Sequence, residues 1–113
     1  MQSIWSLAAS EGVDVFLTGH DHNYQRWNPL GATGAKSTVG MRQFVVGTGA
    51  HESYAIQGSD PRVAFALTTI GALRFELRNG RARFAFVKPN GNAIDSGRFT
   101  CSSPVDPLAA AMP

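Results

Sequence analysis

Apolar positions recur at different periods along the chain. Over residues 3–11 (SIWSLAASE), Ile4, Leu7 and Ala8 fall at helical spacing, and Gly12 stands where a C-terminal cap belongs. This predicts a short N-terminal helix. Residues 13–17 (VDVFL) form a brief run rich in β-formers, which suits a strand covered on both faces. Residues 28–41 (NPLGATGAKSTVGM) read as a loop, because Gly and Pro interrupt any period. A second short strand is expected over 43–46, ending in Gly47-Thr48-Gly49. Residues 50–64 read as irregular, with a turn at Gly58-Ser59-Asp60-Pro61.

The last third alternates cleanly. Residues 72–78 (ALRFELR) and 81–88 (RARFAFVK) flank Asn79-Gly80, a dipeptide that tolerates the positive φ values of a two-residue hairpin turn. The implied register sets Leu77 opposite Ala82, Phe75 opposite Phe84 and Leu73 opposite Phe86, all on one apolar face. Glu76 then meets Arg83 on the other face, a favourable cross-strand pair. A third strand follows over 93–99 (AIDSGRF). A three-residue turn at Pro89-Asn90-Gly91 would place Ile94 opposite Phe86. A two-residue turn would oppose Phe86 with Asp95, which puts a carboxylate on the apolar face. The first register is therefore expected. Residues 102–113 are rich in Ser, Pro and Ala and read as a disordered tail.

Composition narrows the classes. The 113 residues, 43% hydrophobic and 16% charged, suffice for one modest domain with a core. No apolar run is long enough to span a bilayer, and no signal-peptide pattern is present. The single Cys101 excludes an internal disulfide framework. Ten Lys and Arg against eight Asp and Glu give a net charge of +2, mildly suited to an anionic ligand. Arg78, Arg81 and Arg83 read as a solvated hairpin tip. Phe75, Phe84 and Phe86 share the core face rather than a base-stacking surface, so no nucleic-acid partner is expected.

The chemistry-bearing segment is Gly19-His20-Asp21-His22, directly after the first strand. Ligands of α/β sheets gather beyond the carboxyl ends of strands. If the segment is extended, His20 and His22 face one side while Asp21 faces the other. Imidazole is a common metal ligand, yet a His-x-His pair is as readily two surface or hydrogen-bonded side chains. Two ligands are also fewer than the three or four a zinc site takes. Gly19 would let backbone approach a bound group, and Asn23, Tyr24 and Arg26 add polar groups, Arg26 being able to hold an anion such as phosphate. His51 follows another strand end and reads as a loop residue.

The run GVDVFLTGHDHNYQR resembles the last metal-binding motif of the calcineurin-like metallophosphoesterases, in particular their purple acid phosphatase-like branch. QFVVGTGAHESY resembles that branch's next strand and turn, with Ala50 where a glycine is usual. The stretch from GALRFEL to AIDSGRF resembles its closing hairpins. The resemblance implies an α+β fold: the C-terminal portion of a two-sheet sandwich over residues 1–101, with one N-terminal helix, short buried strands and an antiparallel C-terminal meander. It further implies that His20 and His22 each ligate one metal of a binuclear Fe, Zn or Mn centre. That centre would hydrolyse a phosphate ester with a metal-activated hydroxide. Tyr24, Arg26 and Asn23 would lie near substrate, with Asp21 and Gly19 supporting the ligands.

The family's other ligand motifs, among them Asp-x-His and Gly-Asp-x-x-Asp, have no counterpart here. The chain is therefore expected to be the C-terminal segment of a hydrolase and inactive by itself. The competing expectations are a non-catalytic metal- or anion-binding remnant, and a subunit that completes its site with another chain. Apolar surface left by a missing N-terminal half would drive self-association. No membrane partner is expected, and export is implied by the resemblance alone.

Overall fold

The computed structural model describes residues 3–49, 56 and 58–102. Helix α1 (Ile4–Ser10) starts where Ser3 Oγ accepts the Ser6 N–H at 3.1 Å, which satisfies one free donor of the first turn. It ends at Glu11, and Gly12 beyond it takes a φ of 76°. The helix docks through Trp5, not through the expected stripe. The Trp5 ring lies 5.2 Å from Phe16, and its indole N–H donates to the Gly31 carbonyl at 2.9 Å. Ile4 and Leu7 face outward, 76% and 48% exposed. The helical period was right and the buried face was not, because one aromatic with a polar handle outweighs two aliphatics.

The first sheet has four strands: β1 (Val15–Thr18), β2 (Tyr24–Trp27), β3 (Arg42–Val46) and β4 (Val63–Leu67), in the order β1-β3-β2-β4. β1 pairs parallel with β3, and β2 runs antiparallel to both β3 and β4. Neither β2 nor β4 is expected from the sequence. Both are short: polar residues hide any period in β2 (YQRW), and β4 (VAFAL) is an unbroken apolar run that shows no alternation. β1 is an edge strand and not the doubly covered strand expected: Leu17 is 57% exposed. The loop 28–41 is held by a pair of backbone bonds between Leu30 and Met41, both buried. The turn before β4 runs from Asp60 to Val63, two residues later than expected, and the Asp60 carboxylate braces it through Arg62.

The second sheet is the expected meander: β5 (Ala72–Arg78), β6 (Arg81–Val87) and β7 (Ala93–Thr100). The β5–β6 register is the one the Asn79-Gly80 turn implies, with Phe75 opposite Phe84 and Leu73 opposite Phe86. The β6–β7 register is not. Phe86 pairs with Asp95, Val87 pairs with Ala93, and a bulge falls between them. The extra residue, Ile94, still packs on the core. The bulge thus lets Ile94 and Asp95 serve the same side, which regular alternation forbids.

The sheets meet face to face over one aromatic core. Tyr24 and Phe44 come from the first sheet; Ala82, Phe84, Phe86 and Phe99 come from the second. Phe44 meets Phe84 edge-on at 5.0 Å and Phe75 at 5.4 Å, while Tyr24 stacks on Phe86 at 4.1 Å. The architecture is a small mixed α+β fold of two sheets and one short helix. No described helix is long and apolar enough to cross a membrane. The tail over 103–113, together with His51 and Ala50, lies outside the described residues.

Candidate functional site

β1 and β3 are parallel, so their carboxyl ends open on the same edge of the sheet. There the chain makes a turn from Gly19 to Asn23. It is not extended. His20 takes a φ of 72°, in the left-handed region that non-glycine residues enter rarely. Two tight backbone bonds follow, from Asp21 N–H to the Gly19 carbonyl at 2.9 Å and from Asn23 N–H to the Asp21 carbonyl at 2.8 Å. In such a turn, residues two apart do not share a side as they would in an extended strand. His20, Asp21 and Gly19 are exposed, while His22 is half-buried. The turn presses on the start of Gly47-Thr48-Gly49. A Cβ on Gly47 would collide with the Asp21 carbonyl, so only glycine permits this approach. Thr48 Oγ1 donates to the Gly71 carbonyl at 2.7 Å and ties this turn to the start of β5.

Past the turn, β2 alternates, with Tyr24 and Arg26 turned to the second sheet and Gln25 and Trp27 on the other side with Asn23. Asn23 is buried, and its side-chain oxygen accepts from Gln25 Nε2 at 3.0 Å. Tyr24 has no exposed surface, and its hydroxyl donates to Asp95 Oδ2 at 2.6 Å. Arg26 grips the same carboxylate with both ends of its fork, Nε to Oδ2 at 2.8 Å and Nη2 to Oδ1 at 3.1 Å. Its guanidinium also lies 5.6 Å from the Phe84 ring centroid. Asp95 is only 9% exposed. Its burial is tolerable because both oxygens are satisfied and a cation is bonded to it. Tyr24 and Arg26, expected near a ligand, and Asp95, expected at no site, form a single cluster that joins β2 of the first sheet to β7 of the second.

The electrostatics follow from this geometry. Burial, reinforced by the adjacent Asp95 carboxylate, holds the Tyr24 phenol well above its ordinary range, against a smaller opposing effect of Arg26. The hydrogen bonds to Asp95 raise Arg26 further, over the cost of its burial. Tyr24 thus stays a neutral donor, and Arg26 stays a cation. Neither is a proton carrier at neutral pH.

Sequence reasoning missed Asp95. The only available signal was an acidic residue on the apolar side of a strand, which periodicity penalises. Its partners lie about seventy positions away. Beside the cluster, the sheets part at the β1 edge and leave an open groove of about 490 Å³, lined by Leu17, Thr18, Gly49, Leu73 and Phe75 among others.

No family model and no curated protein matches the chain. A solved structure does: GAP50, described as the anchor in the inner membrane complex of Plasmodium. The TM-score is 0.72 at 20% identity, over 92% of this chain and 31% of that one. The chain thus spans about a third of that protein's length, and what the likeness shows is the fold.

The metallophosphoesterase expectation is corrected by these findings. The protein of matching fold is described as an anchor and not as a hydrolase, and no family model supports the motif resemblance. Among the described residues, no group of three or more His, Cys, Asp or Glu side chains is placed to hold a metal ion. The assignment as a hydrolase of phosphate esters does not stand. The physical reason is visible in β2. Tyr24 and Arg26 are bonded there to the internal carboxylate of Asp95.

Proposed function

We propose that this chain is a non-enzymatic structural module of an anchoring protein, one that holds other molecules by its surfaces. The observation that carries the reading is the buried Tyr24–Asp95–Arg26 cluster. Tyr24 and Arg26, close to the exposed histidine turn, are spent on joining the two sheets. The likeness in fold to GAP50, described as an anchor, supports the same reading.

The test is cell fractionation of the full protein in the cells that make it. Retention in a particulate fraction is expected, unchanged when His20 and His22 are both replaced by Ala. A freely soluble protein would overturn the reading. So would loss of retention on His20→Ala/His22→Ala in a protein that unfolds like the wild type.

A further inference from the structure

The outward face of the second sheet holds five of the chain's eight arginines. Alternation along β5, β6 and β7 turns the aromatic residues inward and leaves three cross-strand rows outward. One row is Arg74, Ala85 and Ser96. The middle row is Glu76, Arg83 and Arg98. The last is Arg78, Arg81 and Thr100. All five arginines are exposed. Ala85 and Ser96 are small and form the floor of a depression of about 1160 Å³, lined by the three strands alone.

The arrangement is costly to the fold. Arg83 stands directly opposite Arg98, and Arg78 directly opposite Arg81, and like charges in those positions destabilise a sheet. Among the described residues, one carboxylate, Glu76, offsets them, 3.6 Å from Arg83. Both partners of that pair are well exposed, so it contributes little. A solubility role would need positive charge somewhere, not facing pairs on one sheet. A fork of guanidinium donors is suited to planar oxyanions, above all carboxylates and phosphates.

We propose that this face is the docking surface for an acidic segment of a partner protein, bound by carboxylate–guanidinium pairs across the strands. Three features select this occupant. The face holds a depression floored by Ala85 and Ser96 beside projecting arginines, so a flat bilayer would rest on the guanidinium tips and leave the floor empty, where an extended peptide can lie. Its outward rows carry no aromatic side chain, and Phe84 and Phe99, which also line the depression, are buried and offer bases no free ring face, which disfavours single-stranded nucleic acid. Glu76 sits in the middle row, where a peptide can place a neutral or basic residue but a uniform phosphate backbone cannot. The surface lies on the opposite side of the second sheet from the Asp95 cluster. The inference rests on its charge pattern and not on the anchoring role.

The experiment is fluorescence anisotropy of the intact chain with a labelled oligo-glutamate peptide, over a range of salt. Duplex DNA and phosphatidylserine vesicles serve as competing probes. Arg98→Glu and Lys36→Glu change the net charge equally, one on the face and one off it. Arg98→Glu is expected to weaken peptide binding by about tenfold or more, and Lys36→Glu by less than about twofold. Because it relieves the Arg83–Arg98 opposition, Arg98→Glu should unfold no earlier than the wild type, which separates lost binding from lost folding. Equal losses in the two variants would overturn the proposal, since net charge alone would then explain binding. No binding at low salt would overturn it too. Tighter binding to DNA or vesicles than to the peptide would assign the face to another class of partner and overturn it as stated.

Discussion

Asp95 shows how a residue that looks misplaced in a pattern becomes the one that organises it. Its carboxylate is out of water, so each of its oxygens must find a donor inside the protein. Tyr24 and Arg26 supply them from the other sheet. Removing the Tyr24 hydroxyl alone leaves Arg26 in place, and Tyr24→Phe should cost about 1–2 kcal/mol in urea unfolding. The same substitution should change the alkaline limb of stability. The folded pKa of Tyr24 is raised, so its contribution is fully present below the unfolded value near 10 and is lost as pH rises beyond it. The wild type should therefore lose stability above about pH 10 more steeply than Tyr24→Phe. Parallel curves for the two proteins would show that the phenol ionises as freely folded as unfolded.

At the scale of elements, the β6–β7 pairing depends on small residues as well as on the bulge. A Cβ on Gly97 would lie 2.7 Å from the Phe84 ring, which is itself locked in the aromatic core. Gly97→Ala should destabilise by about 1–3 kcal/mol, read by thermal or urea unfolding, with the β5–β6 hairpin left paired. A neutral result would mean that Phe84 has room to retreat. The two halves of this sheet also show what a sequence makes legible. The β5–β6 hairpin was readable because Asn79-Gly80 fixes the turn and strict alternation fixes the faces. The β6–β7 register was not, because a bulge breaks alternation and its reason lies on a distant strand. β2 and β4 escaped for a related cause: four or five residues whose polar members point at partners elsewhere show no period. The turn at Gly19–Asn23 was legible as a feature after a strand. Its shape was not, since a left-handed histidine carries no signal in the sequence.

The whole molecule is a pair of sheets with an inner aromatic face and unequal outer surfaces. Ile4 and Leu7 on α1, and Leu17 on the β1 edge, remain in contact with water. An edge strand with an exposed leucine and an open apolar groove beside it invites pairing with a second chain. The isolated 113-residue chain is expected to self-associate with rising concentration, and Leu17→Lys to reduce the effect, as followed by sedimentation velocity. A monomer at every concentration would contradict this.

The most direct measurement of the tie between the sheets is a double-mutant cycle. It uses Arg26→Met, Asp95→Ala and their combination, each compared with the wild type by urea unfolding. If the cluster is the tie described, each single change strands a buried polar partner and costs about 3 kcal/mol or more. The double change should cost no more than the worse single, giving a coupling of at least about 2 kcal/mol. Additive losses, with coupling below about 0.5 kcal/mol, would contradict the account, because Arg26 and Asp95 would then be acting separately.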